Sequence, residues 1–245
     1  MRFVFLALAL AAAASAAGPV PVLLELFTSE GCSSCPPADR LLVKLHEEQP
    51  IRGVEVIVLS QHVDYWNRLG WFDRFSSPEH SKRQSWYSMR WPTRVYTPQA
   101  IIDGEQEIVG GDGPGVVTLI RQAARRRKGV VRIASTVDDN GAGVRLDGSG
   151  LPTGRVGKVM LAIVEDDLAS EVESGENAGL TMRHAGVVRA LVKAGEVAGD
   201  QASFSVSASV PFGDDWDRAH LRAVGFVQEN GSRAVTAIGV APLTQ

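Results

Sequence analysis

Hydrophobic positions along the chain fall into two textures. In the first, Val20 to Phe27 is an apolar run broken by Glu25 and closed by Thr28-Ser29-Glu30-Gly31, the pattern of a buried strand entering a tight turn. Pro36 and Pro37 follow where a first helical turn tolerates missing amide donors, and Ala38, Leu41, Leu42 and Leu45 continue at helical spacing. Val54 to Leu59 is a second β-branched run, of the length expected for a buried parallel strand. Residues 64–94 hold four of the five tryptophans, Trp66, Trp71, Trp86 and Trp91, without a strand pattern, and predict a mostly helical insertion. Ala100-Ile101-Ile102, the turn signal Asp103-Gly104 and Glu107-Ile108-Val109 then predict a hairpin, and Val116 to Arg127 a helix.

The second texture begins at Gly129. Short β-branched runs separated by Gly, Asp and Asn (130–137, 144–146, 156–164, 187–192, 204–210, 223–228 and 235–240) predict an antiparallel β-sandwich. The expected architecture is therefore an α/β domain over 18–128, with its insertion at 64–94, followed by an all-β sandwich domain over 129–245.

The N-terminus adds a compartment. Arg2, the apolar stretch Phe3 to Ala14 and the small residues Ala14-Ser15-Ala16-Ala17 predict a signal peptide over 1–17. No cysteine follows that stretch to carry a lipid, and no later run reaches membrane-spanning length. An exported protein, periplasmic or secreted and without membrane insertion after signal removal, is expected. A net charge of −3 with a single basic run, Arg125 to Lys128 at a helix end, offers no footprint for nucleic acid. Oligomeric state is not readable from these features.

The chain has two cysteines, Cys32 and Cys35, and export permits their oxidation to a disulfide. A Cys-x-x-Cys pair at a helix start has a chemical rationale. Free amides and the helix dipole favour a thiolate on the first cysteine, and the second is close enough to resolve an intermediate. Cys32 is the expected nucleophile and the more exposed sulfur. No cofactor is implied.

This strand-turn-helix with Cys32-Ser33-Ser34-Cys35, together with Thr97-Pro98 ahead of a hairpin, resembles the thioredoxin-like superfamily. The strings Leu24 to Asp39, Gln61 to Trp66 and Tyr96 to Gln99 are similar, more narrowly, to a family of secreted bacterial proteins of uncharacterised function. The resemblance implies a thioredoxin-like N-terminal domain, thiol-disulfide exchange with protein thiols or disulfides, and a cis-proline, Pro98, facing the disulfide with Thr97 beside it. It also implies a buried acid supporting the cysteines. Glu25 is the candidate, but it lies seven residues before Cys32, which can turn it to the other side of the strand.

Two other readings stand beside exchange. Parallel strands end on one edge, which brings His62 and Asp64 towards the cysteines, and Cys32, Cys35 and His62 are candidate copper or zinc ligands lacking a fourth. Alternatively, Cys32-Cys35 is a permanent disulfide in a binding or structural module. The aromatic insertion fits either a lid over the site or the core of an added subdomain.

Overall fold

Both faces of the first strand are apolar because both are covered. In β1 (Val20–Thr28), Leu24 and Leu26 point into one core, and Leu23 and Phe27 into others on the opposite face. The computed structural model describes residues 18–91 and 94–243; the expected signal peptide, 1–17, lies outside the described residues. After β1 come α1 (Pro36–Glu48), β2 (Val54–His62), a 3-10 turn (Asp64–Leu69), α2 (Pro78–Ser88), β3 (Gln99–Ile102), β4 (Gln106–Val109) and α3 (Gly113–Ala123). The remaining strands are β5 (Gly129–Val137), β6 (Gly141–Ser149), β7 (Gly157–Glu165), β8 (Leu168–Glu171), β9 (Thr181–His184), β10 (Val187–Val197), β11 (Ser203–Pro211), β12 (Leu221–Glu229) and β13 (Val235–Pro242).

The expected fold class, a thioredoxin-like α/β domain followed by an all-β antiparallel sandwich, is overturned. The chain is mostly β, and eleven strands form one mixed sheet in the order β11-β6-β5-β13-β12-β7-β10-β2-β1-β3-β4, with β8 and β9 pairing apart. The seam is β10, which runs parallel to β2 at Val187 and Ser60, where Ser60 N donates to Gly186 O (2.7 Å). A second tie crosses position 128. Lys128 Nζ sits 2.7 Å from Asp103 Oδ2, and Val235 N donates to Asp103 O (2.9 Å). A run of β-branched residues between turns looks the same whether it closes a sandwich or extends a neighbouring sheet, so the pattern located these strands without their partners.

Among the described residues four apolar cores are buried, the smallest around Phe27, Tyr87 and Ile101, and the three larger ones follow from this arrangement. Leu24, Leu26, Val56 and Val58 pack under α1 and α3 with Leu42, Leu45, Val116 and Ile120. On the opposite face Leu23, Ile57 and Leu59 meet Ala162, Val164, Phe226 and Ile238 of the later strands, so the two halves share a buried core. The third core, around Leu146, Leu161, Ile163 and Ala223, belongs to the C-terminal strands alone. The insertion is less helical than its sequence predicts. Beyond the 3-10 turn, its helix is the eleven-residue α2, started by Ser77, whose hydroxyl accepts from Glu79 N (3.1 Å), and Pro78.

Candidate functional site

The cysteine pair sits in the turn between β1 and α1. Cys32 N donates to Ser29 O (3.1 Å) and Cys35 N to Cys32 O (3.0 Å), while Ala38 N and Asp39 N both reach Cys35 O. Cys35 is thus the N-cap of α1, with Pro36 and Pro37 occupying positions that need no donor. Cys32 and Cys35 are joined in a disulfide across a Cα separation of 5.4 Å. The expected difference in their exposure is absent, because both residues are fully buried.

Their cover comes from the stretch preceding β3. The Thr97-Pro98 bond is cis, Thr97 Oγ1 donates to Cys32 Sγ (3.3 Å), and Ser34 Oγ donates to Thr97 O (3.3 Å). Trp66 Nε1 in turn donates to Thr97 Oγ1 (2.8 Å), fixing the hydroxyl that faces the sulfur. Gly110 N donates to Pro98 O (2.9 Å), and a side chain at Gly110 would press within 2.7 Å of Leu26 and 3.3 Å of Pro98.

Glu25 is buried but does not support the cysteines. It faces α2, where it accepts from Arg83 Nε (2.6 Å), Arg83 Nη2 (2.9 Å), Tyr87 OH (2.5 Å) and Gln61 Nε2 (2.6 Å). The acid on the cysteine side is Asp39, one helical turn beyond Cys35 and therefore on the same helix face. It is almost wholly buried and accepts from Thr28 Oγ1 (2.8 Å) through one oxygen, leaving Oδ2 without a partner. Burial pushes its pKa above the usual carboxylate range, against the charges of His184 and His62 and the Thr28 hydroxyl.

Around it lies a polar cluster assembled from four segments. His62, opposite Thr28 in the parallel register, has its Nδ1 2.7 Å from Asp73 Oδ2, and Asp73 also accepts from Glu30 N (2.9 Å). His184, from β9, places Nε2 3.0 Å from Glu30 Oε1, and Trp71 Nε1 donates to Glu30 Oε2 (2.8 Å). The two imidazoles stand edge to face at 4.8 Å, with Phe75 against both. Burial opposes a charge on His62, but Asp73, with Asp39 and Glu30, carries its pKa above normal. Burial likewise opposes charge on Asp73 and Glu30. The His62 charge and hydrogen bond lower Asp73, and hydrogen bonds from His184 and Trp71 lower Glu30. Relative to the free side chains, these surroundings favour charge on His62, Asp73 and Glu30 and the proton on Asp39.

Among the described residues no group of three or more His, Cys, Asp and Glu side chains is arranged to hold a metal ion, so the copper reading of Cys32, Cys35 and His62 finds no ligand set. Asp64 is engaged elsewhere, accepting from Ser81 Oγ (2.5 Å). Trp66 and Trp71 border the site as described, while Trp86 and Trp91 pack on Tyr87. A cavity of about 580 Å³ opens between α2 and β7, β10 and β12, away from the sulfurs. Of the five arginines and lysines lining it, Arg83 is paired to Glu25 and Arg189 to Glu165 and Asp215.

The loop between β8 and β9 reaches the cysteine turn without any motif of its own. Asn177 Nδ2 donates to Glu30 O (2.7 Å) and Cys32 O (2.9 Å), and Glu176 Oε2 accepts from Ser33 N (3.2 Å). No local motif could have exposed these contacts, which span separations of 143 to 147 residues.

A family model described as "Protein of unknown function (DUF1223)" matches residues 23–228. No curated protein matches the chain. A structural-genomics crystal structure of an Agrobacterium tumefaciens protein is similar at 28% identity and a TM-score of 0.73, covering 94% of this chain and 98% of that one. HBP35 of Porphyromonas gingivalis is similar at 13% identity and a TM-score of 0.65, covering 93% of this chain and 76% of that one, a likeness of fold alone.

Proposed function

The chain belongs to the DUF1223 family of proteins of unknown function, and we propose that its Cys32-Cys35 couple carries out thiol-disulfide exchange with protein thiols in an exported compartment. The observation that carries this reading is the polar surround of the disulfide. A hydroxyl is held on Cys32 Sγ, and a buried carboxyl that favours its proton stands one turn beyond Cys35. A disulfide serving only as a staple needs neither.

Starting from the disulfide, a thiolate of a partner dithiol attacks Cys32 Sγ. The Cys32-Cys35 bond breaks, and Cys35 leaves with the electron pair and takes up a proton, which Asp39 is placed to supply or replace. The second partner thiolate then attacks the partner sulfur bound to Cys32. The partner leaves oxidised and Cys32 remains as a thiolate, so the partner loses two electrons and the couple gains them. The alternative, a permanent disulfide, is favoured by the full burial of both cysteines.

Trapping separates the two. In the exported compartment, Cys35→Ser is expected to accumulate mixed disulfides through Cys32, visible as reductant-sensitive bands on non-reducing gels, whereas Cys32→Ser accumulates few. Equal absence of adducts in both variants would leave the structural disulfide as the correct reading.

A further inference from the structure

We propose that Glu176, held by the loop between β8 and β9, biases the Cys32-Cys35 couple towards the disulfide. The proposal deepens the redox reading of this site. The loop is locked onto the cysteine turn at several points: Asn177, almost fully buried, clamps the carbonyls of Glu30 and Cys32, and Ser174 Oγ donates to Gly70 O (2.5 Å). Its own backbone is closed by Val172 N to Leu180 O (2.9 Å), Gly179 N to Val172 O (2.7 Å) and Leu180 N to Asn177 O (3.1 Å). His184, on the strand leaving the loop, ties it again to Glu30. These contacts hold the Glu176 carboxylate against Ser33 N.

That position carries a consequence for reduction. Reducing the bond creates a thiolate on Cys32, and the amides that follow Cys32 at the helix start are the groups that stabilise such a charge. One of them, Ser33 N–H, is bound to Glu176, which puts a carboxylate on the residue next to Cys32. The charge penalises the thiolate and leaves the disulfide, which is neutral, unaffected. The C-terminal half thereby enters the chemistry of the N-terminal cysteines through the Ser33 amide.

Glu176→Gln keeps the length and the acceptor and removes the charge. In the full chain equilibrated with glutathione redox buffers at pH 7, it is expected to weaken the disulfide about threefold to tenfold, the carboxylate being partly screened by solvent. At 29.6 mV per tenfold change, that is a rise of roughly 15–30 mV in potential. Glu173→Gln makes the same charge change in the same loop without contacting the cysteine turn, and is expected to leave the equilibrium unchanged. No shift for Glu176→Gln, or equal shifts for both variants, overturns the proposal. Because glutathione is the probe, the outcome is independent of partner trapping: a shift without trapped partners retains the role of Glu176 and discards exchange, and trapping without a shift does the reverse.

Discussion

Replacing Arg83 by methionine is expected to lower the free energy of unfolding by about 3–5 kcal/mol, the cost of leaving a buried carboxylate without its partner. Glu25 is fully buried in β1, and Arg83 reaches it from α2 with two parallel hydrogen bonds of 2.6 and 2.9 Å. The same guanidinium donates to Gln228 Oε1 on β12 (3.1 Å), and Gln228 Nε2 donates to Tyr87 OH (2.6 Å), so one charge pair ties α2 to strands from both halves of the sheet. Removing the cation leaves Glu25, itself fully buried, with Tyr87 and Gln61 as neutral donors. Glu25→Gln combined with Arg83→Met takes away both charges while keeping an acceptor for Tyr87, and is expected to recover most of the loss. Urea unfolding of the wild type, the single variant and the double variant measures this. A single-variant loss under about 1 kcal/mol would place the pair with surface ion pairs, which are worth that little.

This pair also shows where sequence reasoning stopped. Glu25 is visible in the sequence as a carboxylate inside an apolar strand, and strand alternation already allows it to face away from the cysteines. Nothing local to it names Arg83, 58 residues on, as its partner. The cysteine turn was legible because its determinants are contiguous: the break after Phe27, the two cysteines, then two prolines opening an amphipathic helix. The later strands were legible one by one for the same reason. Their assembly into a single sheet was not, because it depends on the junction of Val187 with Ser60 and on Asp103 meeting Lys128 and Val235, none of which leaves a periodic trace. Asp39 went unread because an acid in a first helical turn ordinarily complements the helix dipole at the surface. Only the arrival of His184 and Trp71 above the turn buries the cluster around it. Glu30, a turn residue by its sequence context, is the anchor of that arrival.

Acid is expected to weaken the fold through His80. This residue lies in the first turn of α2, almost wholly buried, with its Nδ1 2.9 Å from His62 O. Burial pushes its pKa down to about 4, with the charges on His62 and Arg83 adding to the effect and the hydrogen bond to the His62 carbonyl and the charge on Asp73 opposing it. In the unfolded chain the same imidazole takes its proton near 6.5. The unfolded state therefore binds more protons between those values, and stability is complete above pH 6.5 and falls as the pH drops towards 4. At 1.36 kcal/mol per unit, the loss attributable to His80 is about 3 kcal/mol. His62 acts in the opposite sense. Its raised pKa gives a contribution fully present below 6.5 and lost only as the pH rises through its folded value. Glu30 and Asp73, held below their ordinary values of 4.5 and 3.8, begin to weaken the fold only at the acid end of the His80 window and below it. His80→Gln keeps a donor for the His62 carbonyl and cannot take up a proton, so its unfolding free energy should stay flatter than that of the wild type between pH 6.5 and 4, measured by urea titration at half-unit steps. Parallel curves for the two proteins across that interval would mean that the acid sensitivity lies elsewhere.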